Sequence, residues 1–238
     1  MTPPTFAQAS FAGTVLASTV GTYIALSPPN PNPESTVSPV DSIHSLQLTS
    51  KHISKLAVFP VALLALHTAC LAYFHPNIPP SILRHGAQNS LNTRLIKWSS
   101  PTAIPLALII CAGVPLRLVS YTLLGKNFTF ALAQPDHLTT TGIYRYVQHP
   151  SYTGLIILII CNVVLLGRPA GAVSCWIPPS YYRTVQASHR LLAPLGLSIL
   201  LFAIWTRVRQ EERMLRAEFG AQWERWHAAT SRFIPWLF

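Results

Sequence analysis

GIYRYVQHPSYTG, residues 142–154, runs without a break into the apolar segment LIILIICNVVLLG, residues 155–167. A histidine, three tyrosines and a proline suited to the first position of a helix therefore stand where an apolar helix begins. Residues 151–167 form a run near the lower length limit for crossing a hydrocarbon core of ~30 Å. The rest of the chain points to the same solvent. Half of its 238 residues are hydrophobic, 10% are charged, and the mean hydropathy is +0.36. Water-soluble domains carry about a quarter charged residues. The expected fold is all-α, a polytopic membrane protein with about five transmembrane helices and a cytoplasmic C-terminal helical tail.

Outward from that run, four further spans are expected at Phe6–Leu26 and at residues 53–74, 103–124 and 191–206. The first has no charged side chain and no basic n-region, so it reads as a span rather than a cleaved signal. The second contains Pro60 and His67, the latter a site candidate as an intramembrane ionisable residue or a partner of a neighbouring helix, and not placed in the site. The third is interrupted by Pro105, Gly113 and Pro115 and carries Arg117. An unpaired guanidinium at mid-membrane costs about 2.5–3.5 kcal/mol on insertion scales, so Arg117 must snorkel or pair. Residues 27–51, rich in proline and serine, read as an exposed loop, and residues 75–101, 125–150 and 168–190 as polar connections. From residue 207 a charged, aromatic-rich helical tail continues the fifth span. Domain organisation follows: residues 1–102 form an N-terminal membrane region and residues 103–238 the region that carries the chemistry.

The net charge of +10 comes from basic residues scattered through loops and tail, which excludes a nucleic-acid-binding domain and points to anionic lipid headgroups. With five crossings, most of the basic residues fall on the side of residues 125–150 and the tail, which makes that side cytoplasmic. The four cysteines form no C-x-x-C pair, so neither a metal site nor a disulfide framework is expected.

Two motifs meet on that face. Pro150, Ser151, Tyr152 and Gly154 open a helix whose first N–H groups lack internal partners, and His149 precedes them. Such an end receives an anionic group, or is simply a helix start with interfacial tyrosines. About sixty residues later stands RVRQEERML, residues 207–215. Glu211 and Glu212 there are candidates for a site or for ordinary solvated charges.

Taken together, HLTTTGIYRYVQHPSYTG and RVRQEERMLRAEFGAQWERWHAATSRFIP resemble the isoprenylcysteine carboxyl methyltransferase family of membrane enzymes. PLRLVSYTLLGKNFTF resembles the helix preceding that block, so the resemblance covers residues 115–235. It implies an S-adenosyl-L-methionine (SAM)-dependent O-methyltransferase of the endoplasmic reticulum membrane. The cofactor would be held outside any Rossmann fold, in a pocket closed by the helical hairpin and the C-terminal tail. The implied acceptor is the C-terminal α-carboxylate of a prenylated cysteine on a CaaX-type protein, entering from the lipid. Carried over by position, Leu138, Thr139, Tyr144, His149, Pro150, Ser151, Tyr152 and Glu211 fall on cofactor contacts. Asp136 and His137 fall there through a one-residue displacement of the family's histidine. Arg207 falls on the substrate carboxylate and is the residue implied for catalysis. Gln148 stands where the family has arginine, and the 168–190 connection is longer than the family hairpin requires.

The residue chemistry is consistent with that transfer. A sulfonium is an activated donor and a carboxylate is ionised near neutral pH, so no general base is required. Arg207 offers a forked pair of donors, and Glu211, at i+4, lies on the same helix face. Two other functions fit the sequence: the same fold acting on a phospholipid amine or a hydrophobic small-molecule acid, and a non-enzymatic membrane scaffold that binds no SAM.

Overall fold

The computed structural model describes residues 3–30 and 51–235; most of the connection expected at 27–51 lies outside the described residues. Helix α1, Phe6–Leu26, starts at a reciprocal cap. The Thr5 hydroxyl accepts from the Gln8 N–H, and the Gln8 side chain accepts from the Thr5 N–H. Its polar residues do not prevent burial. Ser18, Thr19 and Thr22 each donate to a carbonyl of the preceding turn, so no hydroxyl is left to find water. Helix α2, Lys51–Phe74, packs along α1.

The third apolar run forms α3, Ser100–Leu108, a wide turn over Ile109–Gly113, and α4, Val114–Leu124. The wide turn has a local cause: Pro115 has no N–H to return to the Cys111 carbonyl, and an inserted i→i+5 turn absorbs the mismatch. Helix α5, Pro150–Leu166, crosses this region at close range. A Cβ on Gly154 would stand 2.9 Å from the Gly113 carbonyl oxygen and 3.0 Å from Arg117 Cγ. Small residues on both helices permit that approach.

The fifth element departs from expectation. Residues 191–206 are not a short span after a long loop but the middle of α6, Pro179–Phe219, a single 41-residue helix. Pro178 and Pro179 look like loop residues, yet Pro179 occupies the first helical position, where its missing N–H costs nothing. The connection after α5 is therefore residues 167–178, shorter than the expected 168–190. Gly220, at φ 47°, ends α6 and α7 follows at Ala221–Ala229.

Phe11, Val15, Leu106, Ile109, Leu158 and Leu165 form the main core, drawn from α1, α3, the wide turn and α5. A second cluster, Leu138, Leu215 and Trp223, fixes the loop that carries Leu138 to α6 and α7. Among the described residues all regular elements are helical. Phe6–Leu26, Thr93–Asn127 and Pro179–Phe219 are long and apolar enough to cross a membrane, and Val58–Phe74 and Pro150–Leu166 are shorter apolar helices. Leu191, Leu192, Leu195, Ile199 and Phe202 stand exposed along α6, the arrangement of a helix whose surroundings are lipid.

Candidate active site

α1, α2, α4, α5 and α6, with the loop over residues 127–139, enclose a cavity of about 790 Å³. That volume is in the range of small-molecule and cofactor sites. Its two ends differ in chemistry. At one, Tyr144, His149, Ser151, Tyr152, Arg207 and Glu211 gather with Arg117; at the other, Val58, Val61, Leu64, Val163 and Leu166 line an apolar limb.

The polar end follows from where helices start and turn. Pro150 at the first position of α5 forces His149 out of helical geometry, at φ −125° and ψ 55°, and the imidazole makes no cap bond. It faces α6 instead, where Glu211 Oε1 is 3.9 Å from Nδ1 and Glu212 Oε1 3.6 Å from Nε2. Both separations exceed hydrogen-bond length. Tyr152 donates its hydroxyl to Glu211 Oε2 at 2.9 Å, and buried Arg207 donates through Nη2 to the Phe130 carbonyl at 2.7 Å. On one face of α6, Glu211 is thus held against the start of α5 and Arg207 against the loop that carries Phe130. Burial pushes the Tyr144 phenol well above its ordinary range, so it remains a neutral hydroxyl at physiological pH.

Arg117 is 5% exposed and pairs rather than snorkels. Nε donates to the Ala25 carbonyl at 2.9 Å and Nη1 to Ser151 Oγ at 2.8 Å, while the Tyr121 hydroxyl donates to the same carbonyl. Its guanidinium lies 5.2–5.8 Å from the rings of Tyr121, Phe128 and Phe130, close enough for cation–π attraction. No carboxylate among the described residues forms an ion pair with it.

A zipper closes the site from the tail. Gln148 N–H donates to the Ser231 carbonyl, His149 N–H to Arg232, and Ser231 N–H to Tyr146. The Gln148 amide donates to the Thr230 carbonyl and hydroxyl, and its oxygen faces His227 Nδ1 at 2.8 Å. Glu212, 5% exposed, accepts from Arg232 Nε at 2.7 Å. The residue that seemed to remove a charge beside the site is therefore a clasp for the C-terminal segment.

Of the residues singled out from sequence, His137, Leu138, Thr139, Tyr144, His149, Ser151, Tyr152, Arg207 and Glu211 line the one cavity. Asp136 does not: its side chain is exposed and paired with Lys126 at 2.5 Å. Pro150 faces a separate apolar groove with Phe233 and Ile234. Sequence reasoning did not give Arg117 or Trp226 a place in the site, and Glu212, a candidate beside Glu211, lies outside the cavity lining and pairs with Arg232. A charged residue inside an apolar run was the available signal for Arg117. Trp226, whose indole donates to the Tyr144 carbonyl, carried none. Thr139 Oγ1 and His149 Nε2 are buried and find no hydrogen-bond partner among the described residues, although both residues border the cavity. Among the described residues no group of three metal-ligating side chains is clustered.

These features define a helical, membrane-type protein with a ligand cavity that is polar at one end and apolar at the other. Residues 106–193 match the isoprenylcysteine carboxyl methyltransferase (ICMT) family. A Schizosaccharomyces pombe protein named protein-S-isoprenylcysteine O-methyltransferase is 28% identical over 131 residues, 53% of this chain and 46% of its own length. A Dictyostelium discoideum protein of the same name is 32% identical over 81 residues, 32% of this chain and 34% of its own. A probable protein-S-isoprenylcysteine O-methyltransferase of Oryza sativa subsp. japonica is 22% identical over 162 residues, 66% of this chain and 73% of its own. The chain thus spans less than half the length of the first two of these relatives.

Proposed function

We propose that this protein is a SAM-dependent methyltransferase that esterifies the C-terminal α-carboxylate of a prenylated cysteine. The observation that carries the reading is a single cavity in which Arg207 and Glu211, one helical turn apart, meet the start of α5 while an apolar limb extends away. The names of the relatives support the same chemistry. Residues 103–238 would carry the reaction, and residues 1–102 the two N-terminal spans. α1 and α2 nevertheless supply cavity wall through Thr22, Leu26 and Val61. Five helices would cross the endoplasmic reticulum membrane with the tail on the cytoplasmic face.

The polar residues fit the cofactor. Glu211 gives negative charge for a cationic ligand, and Thr139 Oγ1 and His149 Nε2 are buried polar atoms with no hydrogen-bond partner among the described residues. SAM, when bound, supplies a methyl group on a positively charged sulfur. The protein need not remove a proton, because the acceptor carboxylate is already ionised. Arg207, whose Nη2 donates to the Phe130 carbonyl, orients that carboxylate through its forked guanidinium. Tyr152 fixes the Glu211 carboxylate, and the zipped tail excludes water. Holding two reactants in line is worth roughly 7–11 kcal/mol, sufficient to make positioning the main catalytic device.

A phospholipid amine is the less favoured acceptor. Two guanidinium groups border the cavity, which suits a carboxylate, and residues 179–190 of the connection expected to be long are the first turns of helix α6. The test is methyl transfer from labelled SAM to N-acetyl-S-farnesylcysteine by membranes containing the protein. A base-labile methyl ester is expected from wild type and is lost in Arg207→Ala and Glu211→Ala; no ester from wild type sinks the prenylcysteine reading.

A further inference from the structure

Among the described residues the apolar limb is interrupted by a polar pair, Asn162 and Thr22. Asn162 lies on α5 eleven residues beyond Ser151, about 16 Å along the helix axis at 1.5 Å per residue. It is 6% exposed, and with Thr22 of α1 it borders the cavity among Val58, Leu158 and Val163. Its amide nitrogen donates to the Leu158 carbonyl at 2.8 Å and to Thr22 Oγ1 at 3.1 Å. Its amide oxygen finds no donor among the described residues.

The orientation of that amide is dictated by its neighbours. The Leu158 carbonyl can only accept, so the NH2 group must face it. The Thr22 hydroxyl gives its proton to the Ser18 carbonyl at 2.8 Å, so its oxygen too can only accept from Asn162. Turning the amide over would set oxygen against oxygen at Leu158 and leave the orphan in place as an N–H. The unsatisfied atom is thus an acceptor. An asparagine serving only as interhelical glue would use both of its functions. A buried acceptor without a donor costs about 1–3 kcal/mol, and a polar side chain inside an apolar segment is a functional candidate by default.

We infer that Asn162, braced by Thr22, is a specificity-determining residue that selects acceptor lipids bearing a hydrogen-bond donor, such as a hydroxyl, far along the hydrocarbon chain. The inference rests on the reading of the cavity as a lipid acceptor's site. The carboxylate end lies at Arg207, near the start of α5, and the chain runs along the α5 face that carries Leu155, Leu158 and Ile159 to Asn162. A donor there satisfies the orphaned oxygen. An unsubstituted chain leaves it unpaired, and sites built to bond a hydroxyl discriminate against analogues that lack it.

The experiment is equilibrium binding of two lipids to the purified, detergent-solubilised protein: N-acetyl-S-farnesylcysteine and its counterpart hydroxylated on the terminal methyl group. Wild type is expected to bind the hydroxylated lipid about tenfold more tightly, and Asn162→Leu to lose that preference by losing affinity for the hydroxylated lipid alone. The wild-type comparison needs no variant, so a poorly folding Asn162→Leu does not blunt it, and Thr22→Val supplies a milder second change that should narrow the preference. Equal or weaker binding of the hydroxylated lipid, no binding of either, or a preference that survives Asn162→Leu overturns the inference. Methyl transfer is scored separately. Preferential binding without ester formation retains the selectivity and refutes the methyltransferase reading; ester formation without preference does the reverse.

Discussion

Replacing Glu212 with glutamine should loosen the C-terminal segment from the block around His149. Glu212 is 5% exposed, with Arg232 Nε 2.7 Å from Oε1, Arg209 Nη1 3.5 Å from Oε2, and His149 Nε2 3.6 Å from Oε1. Removing one member of a fully buried ion pair costs about 3–5 kcal/mol. Arg232 keeps 26% of its side chain exposed and can turn to water, so the loss should approach that of a charged hydrogen bond, about 2 kcal/mol. For a chain of this size that corresponds to a fall in Tm of about 4–8 °C. The assay is thermal unfolding in detergent of wild type, Glu212→Gln, Arg232→Met and the double variant. Because the two side chains touch, the double variant should lose about 1–2 kcal/mol less than the sum of the single losses. Single effects that add within ~0.3 kcal/mol, or a Glu212→Gln protein as stable as wild type, would refute the clasp.

Two further outcomes follow from packing and charge. Gly154→Ala places a methyl group 2.9 Å from the Gly113 carbonyl oxygen, where backbone must shift, and should cost about 1–3 kcal/mol in the same unfolding assay, whereas Gly196→Ala, with nothing within 4 Å, should be neutral or slightly stabilising. Burial, against the pull of Glu212 and with the help of Arg232, holds the His227 imidazole below its ordinary range. The unfolded chain then binds the extra proton first, so wild-type stability should fall as pH drops below about 6.5, and His227→Gln should flatten that slope between pH 7.5 and 5.

How far the sequence could be read depended on which physical signal each element carries. α1 was legible to the residue, because a charge-free run bounded by Thr5 and Ser27 marks both ends. α6 was not. Its first turns, residues 179–190, are polar and exposed, so no apolar period announces a helix, and the prolines that look like a loop serve as its N-terminus. The juxtaposition of residues 142–154 with 207–215 rested on paired motifs, and the structure brings Tyr144, His149, Ser151, Tyr152, Arg207 and Glu211 to one cavity. Asp136 shows where motif position fails: a one-residue displacement in an exposed loop leaves it paired to Lys126 on the surface. Gln148 was readable as a departure from a pattern but not as a clasp, because its backbone and side-chain partners at residues 227–231 lie about eighty residues away in sequence.

The central claim is that one cavity divides its labour, Glu211 serving a cationic cofactor and Arg207 an anionic acceptor. Calorimetric titration of SAM into the purified protein tests it directly, with wild type, Glu211→Ala and Arg207→Ala compared. The account predicts saturable binding by wild type, at least tenfold weaker binding in Glu211→Ala, and affinity within about twofold of wild type in Arg207→Ala. Absence of SAM binding by wild type, or equal losses in both variants, would contradict it.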